Sequence, residues 1–196
     1  MIVVWLPQRG STDGFRTSKN IDGTVYEYIL NGSQIVGLKS NDRLILYIYD
    51  ETGAPIGLRY RETSYAAGVF DTYFFEKNLQ GDIVAVYNSA GTKIGTYAYD
   101  ACGACRKTQI TSGITALERL IVALYNPFRY RGYYYDTDIG MYYLQSRYYH
   151  PNWGRFLNAD AYISTGQGLL SYNMYAYCNN NPVLLILTVI FHGWLH

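Results

Sequence analysis

Residues 126–160 read NPFRYRGYYYDTDIGMYYLQSRYYHPNWGRFLNAD, and this stretch decides the fold. It is crowded with tyrosine and arginine. Tyrosine favours strands because its ring covers a pleated surface while its hydroxyl reaches water or a partner. The pattern predicts a strand from Phe128 to Tyr135, a turn from Asp136 to Gly140, and a return strand from Met141 to Tyr149. We therefore expect an antiparallel hairpin covered with aromatic rings.

The same plan occurs repeatedly upstream of this stretch. The dipeptide Asn31-Gly32 joins two strand-like runs, Thr24 to Leu30 and Ser33 to Leu38. An Asn-Gly pair in this setting is a strong hairpin signal because both residues tolerate positive φ. A second hairpin is predicted with strands Arg43 to Tyr49 and Pro55 to Tyr60 around the turn from Asp50 to Gly53. A third is predicted with strands Asp82 to Tyr87 and Thr92 to Tyr99 around the turn from Asn88 to Gly91.

These hairpins share a short signature, in which two aromatic residues at positions i and i+2 precede a polar turn closed by glycine. Positions i and i+2 lie on one face of a strand, so each pair places two rings side by side. An aspartate in the turn can bond the turn backbone, and the glycine supplies positive φ. Such a repeat is typical of an array in which each hairpin is stable only when it stacks on its neighbours. The signature occurs at Tyr26/Tyr28 with Gly32, Tyr47/Tyr49 with Asp50 and Gly53, Tyr73/Phe75 with Gly81, Tyr97/Tyr99 with Asp100 and Gly103, and Tyr133/Tyr135 with Asp136 and Gly140.

One stretch, Thr111 to Tyr125, interrupts the strand pattern and predicts a short helix near residues 114–125. Thr115 followed by Glu118 fits a capping box. Asn126-Pro127 ends the segment, because the residue before proline disfavours the helical conformation. The apolar residues recur at helical spacing, at Leu117, Leu120, Ile121 and Leu124.

The composition and charge of the chain indicate which partners and which cellular locations to expect. Charged residues make up 16% of the chain, against about 25% in ordinary soluble proteins. The net charge of +1 offers no basic field, so we expect no nucleic-acid partner. The apolar tail from Val183 to Leu195 is shorter than the roughly 20 residues needed to cross a bilayer, so no stable membrane span is predicted. No recognisable signal peptide stands at the start of the chain.

Metal and cofactor chemistry finds little support in the sequence. Cys102 and Cys105 have the spacing of half a zinc site or a redox pair, but no second motif accompanies them, and we interpret them as turn residues. The segment Asp136 to Gly140 resembles the opening of a calcium loop but lacks the later ligands. We therefore expect no metal and no cofactor. The histidines show no metal-ligand spacing; they are His150, His192 and His196.

From Asn126 to Pro182 the chain resembles the RHS repeat-associated core domain, almost motif for motif. The Tyr-Asp-x-x-Gly units at Asp50 and Asp100 resemble, more loosely, the YD repeats of the same family. We interpret the residues that match the family motif as structural residues that stabilise the sheet. The arginines either stack on tyrosine rings or pair with Asp136 and Asp138. The matching residues are Pro127, Arg129, Tyr130, Gly132, Tyr135, Asp136, Gly140, Tyr142, Tyr143, Arg147, Tyr148, Tyr149, Pro151, Gly154, Arg155 and Phe156.

The resemblance implies an all-β protein, in which antiparallel hairpins form part of the hollow shell of a bacterial polymorphic toxin. It implies a structural, encapsulating role for a C-terminal shell fragment that lacks a toxin domain, in a secreted or cell-surface parent protein. The implied partners are the remainder of the shell, an enclosed toxin domain and an immunity protein. The expected organisation is an N-terminal segment without assigned structure (1–20), hairpin repeats (21–110), a helical insertion (111–125), the core domain (126–182) and a divergent apolar tail (183–196).

Two other functions are open from the sequence. In relatives the core domain can be an aspartic autoprotease, and Asp160 matches the first aspartate of that family. Such chemistry needs a second carboxylate to share a proton, and none occurs in residues 183–196, so we expect a structural role for Asp160 and a truncated or frame-shifted reading frame. The second alternative is a carbohydrate-binding or adhesion module, in which exposed tyrosine rings stack on sugars.

Overall fold

The computed structural model describes residues 3–4, 16–144, 147–157 and 177–178. In this part of the chain two antiparallel sheets account for most of the structure, which confirms the all-β prediction. The first sheet has ten strands, and every strand lies beside its neighbour in sequence. The second sheet has four strands in the same simple order. From Ser18 to Ile110 short loops join consecutive strands, so the hairpin pattern of the sequence translates directly into the topology.

The strands of the first sheet are β1 (Val3–Val4), β2 (Ser18–Ile21), β3 (Thr24–Asn31), β4 (Gln34–Lys39), β5 (Arg43–Tyr49), β6 (Pro55–Glu62), β7 (Asp71–Lys77), β8 (Ile83–Asn88), β9 (Lys93–Tyr99) and β10 (Cys105–Ile110). Strand β5 has the bounds that the sequence predicts. Strand β2 begins inside the N-terminal segment to which the sequence assigned no structure.

One face of the first sheet carries the main core of the protein. In each of the four repeats that lie in the first sheet, one aromatic residue is buried there, with an exposed fraction of 7% or less at Tyr28, Tyr47, Tyr73 and Tyr97. The second aromatic residue packs partly buried against the same cluster at Tyr49, Phe75 and Tyr99. The prediction that positions i and i+2 place their rings on one face is therefore confirmed.

The inserted segment forms a helix, α1 (Ala116–Leu120), which continues as a π-helical turn (Ile121–Tyr125). The capping box is confirmed, because the side chains of Thr115 and Glu118 each bond the backbone of the other. The predicted apolar face is wrong in part: Ile121 is buried, but Leu120 and Leu124 are 42% and 48% exposed. The π-helical turn is wider than an α-helical one, so it rotates the residues after Leu120 away from their expected positions. Val122 takes the buried place instead.

The second sheet contains β11 (Tyr134–Asp136), β12 (Met141–Leu144), β13 (Arg147–His150) and β14 (Arg155–Phe156). The predicted two-strand hairpin is therefore wrong in its bounds. A 3-10 turn, Tyr130–Gly132, bends the chain before β11, with positive φ at Arg131 and Gly132. The return run does not form one strand, because its second half folds back and pairs β13 with β12.

Candidate functional site at the junction of the two sheets

The turns of the first sheet repeat one hydrogen-bonding scheme. The Oδ1 atom of Asp50 accepts the N–H groups of Thr52 and Ala54 at 2.9 and 3.0 Å. Asp100 does the same for Cys102 and Ala104 at 3.0 and 2.9 Å. The side-chain oxygens of Asn78 and Asn88 accept equivalent N–H groups in their own turns. The sequence identified the two aspartates and the turn that begins at Asn88, but it did not identify Asn78 or the role of either asparagine as an acceptor. The shared Asp/Asn-x-x-Gly spacing is a usable signal for both.

The turn from Asp100 to Ala104 is covered by the second sheet and the segment before it. Three consecutive carbonyls of this turn each accept a tyrosine hydroxyl. Tyr130 donates to Ala101 at 2.8 Å, Tyr149 to Cys102 at 2.7 Å, and Tyr142 to Gly103 at 2.8 Å. The rings of Tyr142 and Tyr149 are fully buried. This set of contacts, which we call the tyrosine clasp, fixes the second sheet to one turn of the first.

A neighbouring turn, from Asn78 to Asp82, provides a second point of attachment. The buried carboxylate of Asp82 accepts the backbone N–H of Arg131 at 2.8 Å. The N–H of Ile83 donates to the carbonyl of Arg129 at 3.0 Å. Alternate turns of a meander lie at the same end of a sheet, so the 78–82 and 100–104 turns lie side by side. The Arg-Tyr-Arg-Gly segment therefore rests on one end of the first sheet.

Two arginines of the core motif, Arg129 and Arg147, stack on rings, as one of the two predicted alternatives requires. The Arg129 guanidinium lies 4.1 Å from the centre of the Tyr97 ring. It is buried and donates to the carbonyls of Asn126 and Val122 at the end of the π-helical turn, where a cation is favourable. Arg147 lies 3.8 Å from the Phe156 ring centre.

The cationic partners of Asp136 and Asp138 lie more than a hundred residues earlier in the chain. The Asp136 carboxylate, 3% exposed, pairs with Arg16 and with Lys19, whose Nζ lies 3.0 Å from Oδ1. Lys19 also pairs with Asp138. We call these four side chains the ionic cluster. The predicted alternative, in which arginines of the core motif pair with these aspartates, is therefore wrong. Arg16 and Lys19 pair with them instead, and no local sequence pattern indicated these two residues.

Aromatic rings surround the ionic cluster. The Arg16 guanidinium lies 4.3 Å from the centre of the Tyr28 ring and 4.7 Å from that of Tyr143. It also donates to the hydroxyl of Tyr148 at 3.1 Å. These contacts bind the segment before β2 to both sheets, since Tyr28 belongs to the first sheet and Tyr143 to the second.

The pKa values of the two aspartates in the ionic cluster are shifted in opposite directions. Burial by itself would raise the pKa of Asp136, but Arg16 and Lys19 together hold it below its usual value. Burial raises the pKa of Asp138 above its usual value despite Lys19. Arg16 and Lys19 therefore make the 136–140 turn an ion-paired turn. The cluster can hold two parts of the chain together through its ion pairs.

The remaining residues of the core motif lie in the strands and turns of the second sheet. Tyr135 packs on Tyr142 with ring centres 4.9 Å apart, and the N–H of Gly140 closes the turn on the carbonyl of Asp136 at 2.9 Å. The β13–β14 turn begins at Pro151, and the N–H of Gly154 donates to the carbonyl of His150 at 3.0 Å. The other members are the exposed Arg155 and the buried Phe156.

Other sequence predictions meet the structure only in part. Asp160, the proposed catalytic aspartate, lies outside the described residues, as does the apolar tail from residue 183. Among the described residues, no group of three or more His, Cys, Asp or Glu side chains is placed to hold a metal ion. The cysteines at 102, 105 and 178, all among the described residues, form no disulfide. No helix in the described ranges has the length and apolar character that crossing a membrane would require.

Comparison with known proteins gives matches over most of the chain. The tRNA3(Ser)-specific nuclease WapA of Bacillus spizizenii is 34% identical over 175 residues, which are 87% of this chain and 7% of that protein. The tRNA nuclease WapA of Bacillus subtilis matches to the same extent, 34% over 175 residues. The chain thus spans about 7% of the length of these relatives. No family model matches the chain.

Solved structures share the fold. A crystal structure of a TcdB2–TccC3 complex superposes with a TM-score of 0.66 at 23% identity, over 91% of this chain and 8% of that chain. The Tc holotoxin pore of Photorhabdus luminescens superposes with a TM-score of 0.64 at 20% identity, over 95% of this chain and 9% of that chain. TccC3 and WapA are RHS-repeat proteins. With the core motif, the repeated hairpins and these matches together, the chain belongs to the RHS-repeat family.

Proposed function

We propose that this chain is a structural module of an RHS-repeat shell, in which the ten-stranded sheet is a piece of wall and the four-stranded sheet closes one end of it. The tyrosine clasp carries the proposal. It fixes the second sheet to the end of the first through three backbone carbonyls, Ala101 to Gly103, rather than through a cleft lined with reactive groups. Such backbone-directed contacts hold one part of a shell against another.

The organisation of the first sheet supports a role as a wall. Its strands follow one another without crossing, so a further hairpin can be added at either end by the same pairing. Its core face is covered with tyrosine, and the second sheet packs on part of that face through Phe128 and Tyr134, which contact Tyr47 at ring-centre distances of 4.9 and 6.3 Å.

The partners follow from the same proposal. In the parent protein they are the remaining hairpins of the shell and an effector domain enclosed by it. The named activity of the WapA relatives, cleavage of tRNA, belongs to proteins that this chain matches over about 7% of their length. In a secreted or cell-surface parent protein, an enclosed effector would be shielded until its release.

A chimera tests the proposal. The segment of Bacillus subtilis WapA that matches this chain is replaced by the chain itself, and the purified protein is treated with a protease. If the chain is a shell module, we expect the fragment with tRNA nuclease activity to survive the protease to the same extent as in unaltered WapA, which is treated in parallel. Mass spectrometry maps the cut sites in both proteins.

Two variants of the chimera provide the control. Gly103→Ala places a Cβ atom 2.5 Å from the Tyr130 ring and should open the junction, so the nuclease fragment is degraded. Gly91→Ala changes a glycine of the same turn type with no atom within 4 Å and should leave protection intact. A chimera that folds but leaves the nuclease fragment as exposed as in Gly103→Ala would show that the chain does not close a shell.

A further inference from the structure

A cavity of about 150 Å³ lies between strands β2–β5, the π-helical turn and the turn that follows β11. Most of its wall is apolar or aromatic: Ile21, Tyr26, Leu38, Ile45, Leu124 and Tyr134. An engineered protein cavity of about this size, lined by aliphatic and aromatic side chains, is known to bind benzene. The space therefore suits a single aromatic ring.

One end of the cavity is polar, and it is formed by part of the ionic cluster: Lys19, Asp136 and Asp138. An ammonium group has three protons to donate. Lys19 directs its Nζ to Asp136 and to Asp138, which leaves capacity for one more acceptor. The Asp138 side chain is 20% exposed and can accept a further hydrogen bond. A ring with one polar substituent would match this end better than a plain hydrocarbon.

A ligand can reach the cavity without breaking a sheet. Leu124 is one of its lining residues and is 48% exposed. It belongs to the π-helical turn, not to a hydrogen-bonded strand. Beside it, Arg43 lies 4.8 Å from the Tyr125 ring centre, and both residues line the cavity. Entry therefore needs only a rotation of these side chains.

We propose that this cavity binds one aromatic group of phenol or indole size, with its ring among Ile21, Leu38 and Ile45 and its hydroxyl or N–H at the Lys19–Asp138 end. The group can be a free small molecule or the tyrosine or tryptophan side chain of a polypeptide that meets this face of the sheet. The site is independent of the shell role proposed above.

The experiment is an NMR titration of the full chain with three probes: p-cresol, 5-fluoroindole and toluene. Saturable binding at one site is expected for the first two. Toluene should bind several-fold more weakly than p-cresol, because it fills the same space without a hydrogen bond to Lys19 or Asp138. A cavity filled with water alone would show no saturable shift up to the solubility of the probes, and the proposal would then be wrong.

Paired variants locate the site. Leu38→Trp fills the cavity and should weaken p-cresol binding at least ten-fold. Lys39→Trp adds the same ring one residue further along β4, where the side chain points to the opposite face and is exposed, and should leave binding unchanged. Leu124→Trp is the second blocking variant, at an exposed position that tolerates a large side chain, should Leu38→Trp fail to fold. Equal binding in the blocking and control variants would overturn the assignment.

A short extended peptide distinguishes the two sources of the aromatic group. A peptide with one central tryptophan is compared with its alanine counterpart and with free indole. Tighter binding of the tryptophan peptide than of indole identifies a side chain of a polypeptide as the ligand. Equal or tighter binding of indole identifies a free small molecule. If neither binds in a way that Leu38→Trp abolishes, the proposal fails.

Discussion

Asp100 and Asp136 follow the same tyrosine motif, yet they do different work. Asp100 stands half-exposed and uses Oδ1 to accept two N–H groups of its own turn. Asp136 is buried and pairs with Arg16, 120 residues away in the chain, and with Lys19. One aspartate shapes a local turn, and the other holds two distant segments together.

The spacing from aspartate to glycine accounts for the difference. In the Asp100 turn the glycine is the third residue after the aspartate, and its N–H bonds the Asp100 carbonyl at 3.0 Å. In the Asp136 turn the glycine, Gly140, is the fourth residue, and its N–H bonds the Asp136 carbonyl at 2.9 Å. The extra residue closes a wider turn. The Asp136 side chain is then free to face the interior, where Arg16 and Lys19 meet it.

The largest expected effect separates these two aspartates. Asp136→Asn leaves the buried Arg16 without its carboxylate partner and removes one of the two partners of Lys19, so we expect the free energy of unfolding to fall by about 3–5 kcal/mol. Asp100→Asn should cost less than about 1 kcal/mol, since an amide oxygen performs the same task in the Asn78 and Asn88 turns and the lost Arg106 pair is exposed. Denaturant unfolding followed by circular dichroism measures both. Equal losses in the two variants would contradict this division of roles.

A second comparison concerns two glycine turns of the same type, one under the tyrosine clasp and one in solvent. Gly103 has φ of +85°, and an added Cβ atom would lie 2.5 Å from the Tyr130 ring. Gly91 has φ of +78° and no atom within 4 Å of that position. We expect Gly103→Ala to cost about 2–4 kcal/mol, from strain and overpacking together, and Gly91→Ala about 1 kcal/mol from strain alone. The difference between the denaturant midpoints of the two variants measures how closely Tyr130 packs on the Asp100 turn.

The contrast between local turns and long-range pairs also explains which features could be predicted from the sequence. Strand β5 was predicted to the residue because alternation and the Asp50 turn are local signals. The capping box at Thr115 was predicted for the same reason. Arg16 and Lys19 could not be found, because nothing in their neighbourhood indicates which aspartate they would meet more than a hundred residues later.

The tyrosine clasp lies between these extremes. The sequence identified Tyr130, Tyr142 and Tyr149 as structural residues through the family resemblance. It gave no indication that their hydroxyls would meet three consecutive carbonyls of the Asp100 turn, because that pairing depends on how two sheets dock. The π-helical turn was missed because helical spacing assumes a constant number of residues per turn, and Ile121 to Tyr125 depart from it.

The pH dependence of stability sharpens the comparison further. The pKa of Asp136 is lower in the folded protein than its usual value, so its stabilising effect is complete above about pH 4 and is lost as the pH falls through the folded pKa. The pKa of Asp138 is raised by burial and acts in the opposite direction, which reduces the net effect. We expect the unfolding free energy to fall less steeply between pH 5 and pH 2 in Asp136→Asn than in the unaltered chain, as urea titrations at each pH would measure. Parallel slopes would show that the cluster does not depend on the charge of Asp136.

The smallest expected effect concerns a single hydroxyl of the tyrosine clasp. Tyr149→Phe removes the hydrogen bond to the Cys102 carbonyl and leaves a partly buried acceptor, so we expect a loss of about 1 kcal/mol. Tyr87→Phe is the matched control, because its hydroxyl donates to Glu76 at the surface, and it should cost less than about 0.5 kcal/mol. If Tyr149→Phe is as mild as Tyr87→Phe, the clasp is held by the packing of its rings and not by its hydroxyls. The buried contact between the tilted rings of Tyr149 and Tyr177, whose centres lie 4.2 Å apart, would then be the one to remove next.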